Sequence, residues 1–282
     1  MKTHPDCRVC FELQALRTAR LIVGKETEVR KIVEAVKDFV AGVSLDATPP
    51  EIGLRVHQLI LRMTGVKDPY RMIKRVCIDQ ALALYPELHK RVISSRDRLL
   101  TAIKLAIAGN VIDFGADSEF DWKMDLDKIL RQDLVINDYP ALREKLRSAQ
   151  NILYLADNAG ETVFDKVLIE EIGRPVVYAV KAKPIINDAT RRDAERSEIG
   201  RAAQIISSGS SMPGTLLRRC SSRFLQVFRS ADLIISKGQG NYETLSEEKA
   251  PLFFLLKAKC GVIARHLGAK RGGLVLLGLT DR

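Results

Sequence analysis

Aromatic residues are scarce in this sequence, at 6% of the chain. A stacking platform for single-stranded nucleic acid is hard to build from so few rings. Long apolar runs are missing as well. A membrane-spanning helix needs roughly 18 uninterrupted apolar residues, and the longest candidate, Leu99 to Val111, is cut by Lys104 and Asn110. The opening MKTHPDCRVCFE has no apolar core, so it does not read as a secretory signal. Cysteine is sparse: Cys7, Cys10, Cys77, Cys220 and Cys260, with one close pair among them. An odd, scattered set does not suggest a disulfide framework. Together these absences predict a cytoplasmic protein with no membrane partner. They leave its oligomeric state unspecified.

What is present is a large apolar fraction and a basic excess. Hydrophobic residues make up 46% of 282 residues, enough for a sizeable core and about two domains. The formal charge is +10, which keeps nucleic acid open as a partner. The basic residues, however, alternate with acids in stretches such as REKLRS and RRDAERSEIGR. That is the pattern of solvated, ion-paired helix faces, so nucleic acid is read as an unlikely principal partner.

Periodicity divides the chain at residue 148. Residues 1–148 read as helical. Glu26 to Val40 places Val29, Ile32, Val33, Val36, Phe39 and Val40 on one stripe. Thr48 before two prolines opens a helix that ends at Gly65, Asp68-Pro69 opens another, and Ser95 to Ala108 is a third that stops at Gly109. No strand of comparable strength is expected before residue 150. From Asn151 onward, short apolar runs (NILYLAD, PVVYAVK, QIIS, ADLIISKG, GGLVLLGL) alternate with helical segments. The expected fold is α/β: a helical region over 1–148 packed on a Rossmann-like three-layer domain over 149–282, with a mostly parallel sheet. In such sheets ligands sit at the carboxyl ends of the strands.

Two strand ends carry oxygen-bearing side chains. The first run stops at Asp157-Asn158-Ala159-Gly160-Glu161, where a helix starts at once. An acid and an amide on one turn can aim at a hard cation such as Mg²⁺ or Mn²⁺. Alternatively, either residue caps the helix. The lone Gly160 rules out a dinucleotide-type glycine loop. The second run leads to Asn187, Asp188 and Thr190. Asp188 follows Asp157 by 188 − 157 = 31 residues, a strand–helix–strand repeat. Neighbouring parallel strands would bring both acids to one edge. Asp157, Asn158 and Asp188 are therefore the candidate metal ligands, the alternative for Asp188 being a cap on a helix from Ala189.

Further loops gather at the same edge. SSGSSMPGT (207–215) offers backbone N–H groups that can cradle an anion, or is an ordinary turn. KGQGNYE presents Lys237 and Asn241, at a spacing that does not match a Walker loop. Lys257 ends an apolar run as a point charge suited to a phosphate oxygen, or as a solvated lysine. GNVIDFG (109–115) is either a loop facing the sheet or an inter-helix turn. Cys7 and Cys10 have the spacing of half a zinc site or a redox pair, with His4, His57 and Cys77 as further candidate ligands.

In order along nearly the whole chain, CRVC, DPY with Lys74 after it, GNVIDFG, DNAGETVFD, KPIINDAT, GSSMPGT, KGQGNYE and FFLLK resemble the metal-dependent damage-control phosphatase family. The Cys pair resembles its stand-alone archaeal and bacterial subgroup. The resemblance implies a divalent cation (Mg, Mn, Co or Ni) on Asp157, Asn158 and Asp188. It implies hydrolysis of phosphate monoesters of small metabolites, sugar phosphates or damaged phosphometabolites. Asn110, Asp113, Glu161, Asn241 and Lys257 would line the substrate pocket, with Lys257 on the phosphate. Ser211 departs from the acid frequent in that loop. Asp157, Asp188 and Lys257 are the expected catalytic groups, acting by metal-assisted phosphoryl transfer. The nucleophile is either a metal-bound water or an aspartate. Two other classes are weighed: a group transferase such as an S-adenosylmethionine-dependent methyltransferase, and a basic nucleic-acid-binding protein.

Overall fold

The computed structural model describes residues 1–109 and 122–279. The expected helices form where their sequence signals place them. Helix α1 spans Cys7–Ile22, α2 Glu26–Ala41, α3 Pro49–Thr64, α4 Arg71–Ile93 and α5 Arg98–Gly109. In α2, Val29, Ile32, Val36 and Val40 are buried, one at each turn. Thr48 and Glu51 form a reciprocal capping box at the start of α3, and Gly65 ends that helix in the left-handed conformation. Helices α1 to α3 close around their own apolar cluster, centred on Phe11, Val36, Ile52 and Val56.

The chain then runs through α6 (Trp122–Arg131), β1 (Leu134–Asn137), α7 (Tyr139–Ser148), β2 (Ile152–Leu155), α8 (Thr162–Ile172), β3 (Val176–Val180), α9 (Arg191–Arg196) and β4 (Gln204–Ser207). It continues through α10 (Ser222–Ser230), β5 (Leu233–Lys237), α11 (Gly238–Leu245), β6 (Leu252–Lys257), α12 (Gly261–Leu267) and β7 (Leu274–Gly278). Among the described residues these strands form one sheet in the order β1-β7-β6-β5-β2-β3-β4. All neighbours are parallel except β6 and β7.

Side chains alternate along β2. Ile152 and Tyr154 face a core shared with α4 to α8. Leu153 and Leu155 face one shared with α10, α11 and α12. The result is the expected three-layer α/β architecture, with α4 to α7 packed into the sheet's own core. Strand β1 is a departure from the expectation that no strand precedes residue 150. It is four residues long at the sheet edge, with burial alternating half-buried and exposed. So short an edge strand carries little apolar patterning, and its pairing with β7 decides its conformation. No helix of the described residues is long and apolar enough to cross a membrane.

Candidate active site

The central strand β2 delivers Asp157 to the carboxyl edge of the sheet. Strand β3 lies beside it in register, with Leu155 level with Ala179. The chain after β3 folds back and pairs with the turn after β2. Ala189 N donates to Asp157 O at 2.8 Å, and Ala159 N donates to Asn187 O at 2.8 Å. Asn158 and Asp188 thereby form an isolated antiparallel bridge. The two acids expected at one edge are thus sewn together by backbone hydrogen bonds.

Neither capping alternative is realised. A short 3-10 turn, Ala159–Glu161, precedes α8, and the Asn158 side chain makes no capping bond to it. Helix α9 begins at Arg191, two residues later than expected, and its cap is Thr190 in a reciprocal box with Asp193. Asn158 Nδ2 donates to Glu161 Oε1 at 2.5 Å and reaches Asp157 Oδ2 at 3.3 Å.

The site is crowded with negative charge. Burial, then the charges of Glu161 and Asp188, hold the Asp157 carboxyl well above the usual carboxylate range. Burial lifts Asp188 to about 6 against the pull of Lys181. Asp188 Oδ2 is a buried oxygen with no hydrogen-bond partner. The Lys181 ammonium stands 3.5 Å from it as an ion pair and donates instead to Gly214 O. Gly238, at φ +77°, packs against Asp157, and a Cβ there would lie 1.9 Å from Oδ2.

The remaining expected residues separate into groups. Glu161 is buried and accepts from Lys237 Nζ at 2.8 Å. Asn241 is buried and committed: Nδ2 donates to Ala156 O and Lys237 O, and Oδ1 accepts from Thr215 Oγ1. It ties the 207–215 loop to the end of β2. Lys257 is half-buried and closes β6 at the same edge; Lys237 is level with Leu255. Asn110 and Asp113 lie outside the described residues. Cys7 is buried and Cys10 exposed, and neither is in a disulfide. Burial pushes the Cys7 thiol up to about 11 and raises Cys10 as well, with Cys260 and Glu243 adding to both shifts. His57 is buried within the α1–α3 bundle side of the protein, and its Nδ1 has no hydrogen-bond partner.

Three contributors were missed in the sequence: Lys181, the ion-pair partner of Asp188, Asp165 and Lys259. Asp165, one turn into α8, is fully buried and accepts from Tyr154 Oη, Tyr178 Oη and Lys237 Nζ. Its signal was an acid inside the apolar helix face VFDKVLI. Lys259, exposed just past β6, draws the Asp157 carboxyl back down; only its two-residue spacing from Lys257 marked it.

The family model described as Damage-control phosphatase ARMT1-like domain matches residues 3–275. The chain belongs to this family. A damage-control phosphatase from Pyrococcus horikoshii is 37% identical, with 98% of each chain covered. Another from Archaeoglobus fulgidus is 31% identical over 98% of each chain. An uncharacterized protein from Methanocaldococcus jannaschii is 37% identical over 98% of this chain and 95% of its own. The crystal structure of a DUF89 family protein from Pyrococcus horikoshii superposes with a TM-score of 0.90 at 35% identity, covering 99% of both chains. Membership of the family supports a phosphatase. It does not favour a methyltransferase or a nucleic-acid-binding protein.

Proposed function

We propose that this protein is a divalent-metal-dependent phosphatase acting on phosphate monoesters of small metabolites, sugar phosphates or damaged phosphometabolites. The observation that carries the metal is Asp188 Oδ2, buried without a hydrogen-bond partner 3.5 Å from the Lys181 ammonium, on a residue that lies beside Asp157 and bridges to Asn158. Among the described residues no group of three His, Cys, Asp or Glu side chains is arranged to hold a metal. The reading therefore rests on two carboxylates and one carboxamide, an all-oxygen set suited to Mg²⁺ or Mn²⁺. The charge balance fits as well. The carboxylates of Asp157, Glu161, Asp165 and Asp188 face the ammonium groups of Lys181 and Lys237. Carboxylates outnumber ammonium groups in that set, an excess of negative charge that a divalent cation would offset together with Lys259 beside Asp157.

The cation would polarise a phosphoryl oxygen and offset the charge that develops in transfer. The chain's own groups do the rest. Lys257, at the end of β6, binds the phosphate as a point charge, and Lys259 adds a second positive charge beside Asp157. Gly238 leaves room for the Asp157 carboxylate to point into the site. Glu161 and Asn241 shape the floor of the substrate pocket through the hydrogen bonds described above.

The test is a phosphatase screen over sugar and nucleotide phosphates with Mg²⁺, Mn²⁺, Co²⁺ and Ni²⁺ in parallel, each with and without chelator. Turnover is expected with at least one metal and is expected to vanish on chelation. A folded Asp188→Ala variant is expected to be inactive; full activity in it would overturn the site.

A further inference from the structure

Beneath the candidate ligands lies a buried hydrogen-bonded chain that begins in the core. Tyr154 on β2 and Tyr178 on β3 are level in register, with ring centroids 5.3 Å apart. Their hydroxyls donate to the two oxygens of Asp165, Tyr154 to Oδ1 at 2.7 Å and Tyr178 to Oδ2 at 2.8 Å. Lys237 Nζ donates to Asp165 Oδ1 at 2.7 Å and to Glu161 Oε2 at 2.8 Å. The other oxygen of Glu161 accepts from Asn158 Nδ2 at 2.5 Å. Lys237 and Asp165 are 0% exposed and Glu161 1%.

Such a chain is a poor way to stabilise a core. Removing three charges from water costs several kcal/mol per ion, and apolar side chains of similar volume generally do as well or better. What the chain does supply is direction. An Asn side chain has one oxygen and one nitrogen at its end. Once Nδ2 is fixed on Glu161, Oδ1 must face the other way. Glu161 is in turn fixed by an ammonium that has no freedom of its own, because Asp165 holds it and two phenols hold Asp165.

We infer that Asp165 and Lys237 are positioning residues that set the rotamer of Asn158 through Glu161, presenting Asn158 Oδ1 to the cation. The inference rests on the metal-dependent reading above. Outer groups that orient metal ligands typically change metal affinity by about 10- to 100-fold when removed. Asp165 acts from the far side of Lys237 and touches neither cation nor substrate.

The experiment measures Mn²⁺ binding by titration calorimetry on the full-length protein, in the wild type, Asp165→Asn and Tyr178→Phe, alongside circular dichroism and a thermal melt. Asp165→Asn is expected to weaken Mn²⁺ by about 10-fold, the low end of the range for groups that touch a ligand directly, because it acts through Lys237 and Glu161. The Mn²⁺ concentration giving half-maximal phosphatase activity is expected to rise in parallel, while kcat at saturating Mn²⁺ falls much less. Tyr178→Phe keeps the ring and loses one donor; it is expected to weaken Mn²⁺ measurably, by a few-fold, and it tests the chain if Asp165→Asn does not fold. A merely structural role would lower the melting temperature and leave Mn²⁺ affinity within two-fold in the folded variants; that result overturns the inference while the metal reading stands. A wild type that binds no Mn²⁺ and turns over in chelator overturns both.

Discussion

Gly238 packs so tightly on Asp157 that a Cβ on the glycine would fall 1.9 Å from Asp157 Oδ2 and 2.3 Å from its Cγ. The glycine also adopts φ +77°, a conformation L side chains avoid. Substitution by alanine must therefore displace the carboxylate or the start of α11. A shift of about 1 Å at a reacting group can cost on the order of 100-fold in rate. Gly238→Ala is expected to lose activity by at least that factor while keeping its circular dichroism spectrum. Wild-type kcat in a folded Gly238→Ala protein would show that the Asp157 orientation is not used.

The helical region reaches the site loop through Lys74. Its Nζ donates to Asp193 Oδ2 at 2.9 Å, with Lys74 3% and Asp193 12% exposed. Asp193 also receives Thr190 N and Thr190 Oγ1, just past Asp188. Removing one partner of a buried pair strands the other charge, at a cost of roughly 3–5 kcal/mol. Lys74→Met is expected to lower unfolding stability by about that much in urea. In an Asp193→Asn background the same substitution should cost far less. Equal costs in both backgrounds would show that the two side chains are not coupled.

His57 sets a pH dependence of stability. Burial holds its pKa down, to about 4, against an unfolded value near 6.5. Between these limits the unfolded chain binds the proton and the folded chain does not, so stability rises with pH. The contribution is complete above about pH 6.5 and is lost as pH falls toward 4, at most on the order of 3 kcal/mol. Subtracting the unfolding profile of His57→Leu from that of the wild type should isolate this slope. Parallel profiles from pH 4 to 6.5 would refute it.

Burial raises the pKa of both Cys7 and Cys10, which disfavours the reactive thiolate. Cys10 is exposed and Cys7 buried. Iodoacetamide at pH 8, followed by peptide mass mapping, is expected to modify Cys10 slowly and Cys7 more slowly still. Rapid labelling of Cys7 would mean that the α1 N-terminus opens.

Much of this was written in local pattern. The capping box at Thr48 and Glu51, the stripe of α2 and the apolar run Ile152 to Leu155 each depend on residues a few positions apart. Helical and strand periodicities are local properties, so the architecture was legible. Strand β1 was not: its four residues have a conformation only because β7, about 140 residues later in the chain, lies beside them. The site divides the same way. The acids at the ends of two successive strand runs were visible, whereas Asp165 looked like one stray charge in an apolar helix. Its partners Tyr154, Tyr178 and Lys237 come from three different strands.

The sequence by itself determined which segments become helices and most of the strands, and that Asp157 and Asn158 fall just beyond the end of β2, whereas Asp188 lies in the segment that follows β3. Hydrophobic spacing, capping side chains and glycine placement act within a turn or two, and need no tertiary context. Only the tertiary structure decided that Asn158 and Asp188 form a bridge, that Gly238 presses on Asp157, and that Lys237 joins Glu161 to Asp165. Those contacts join residues whose separation in the chain carries no periodic signal. They follow from strand order, which brings β5 against one side of β2 and β3 against the other.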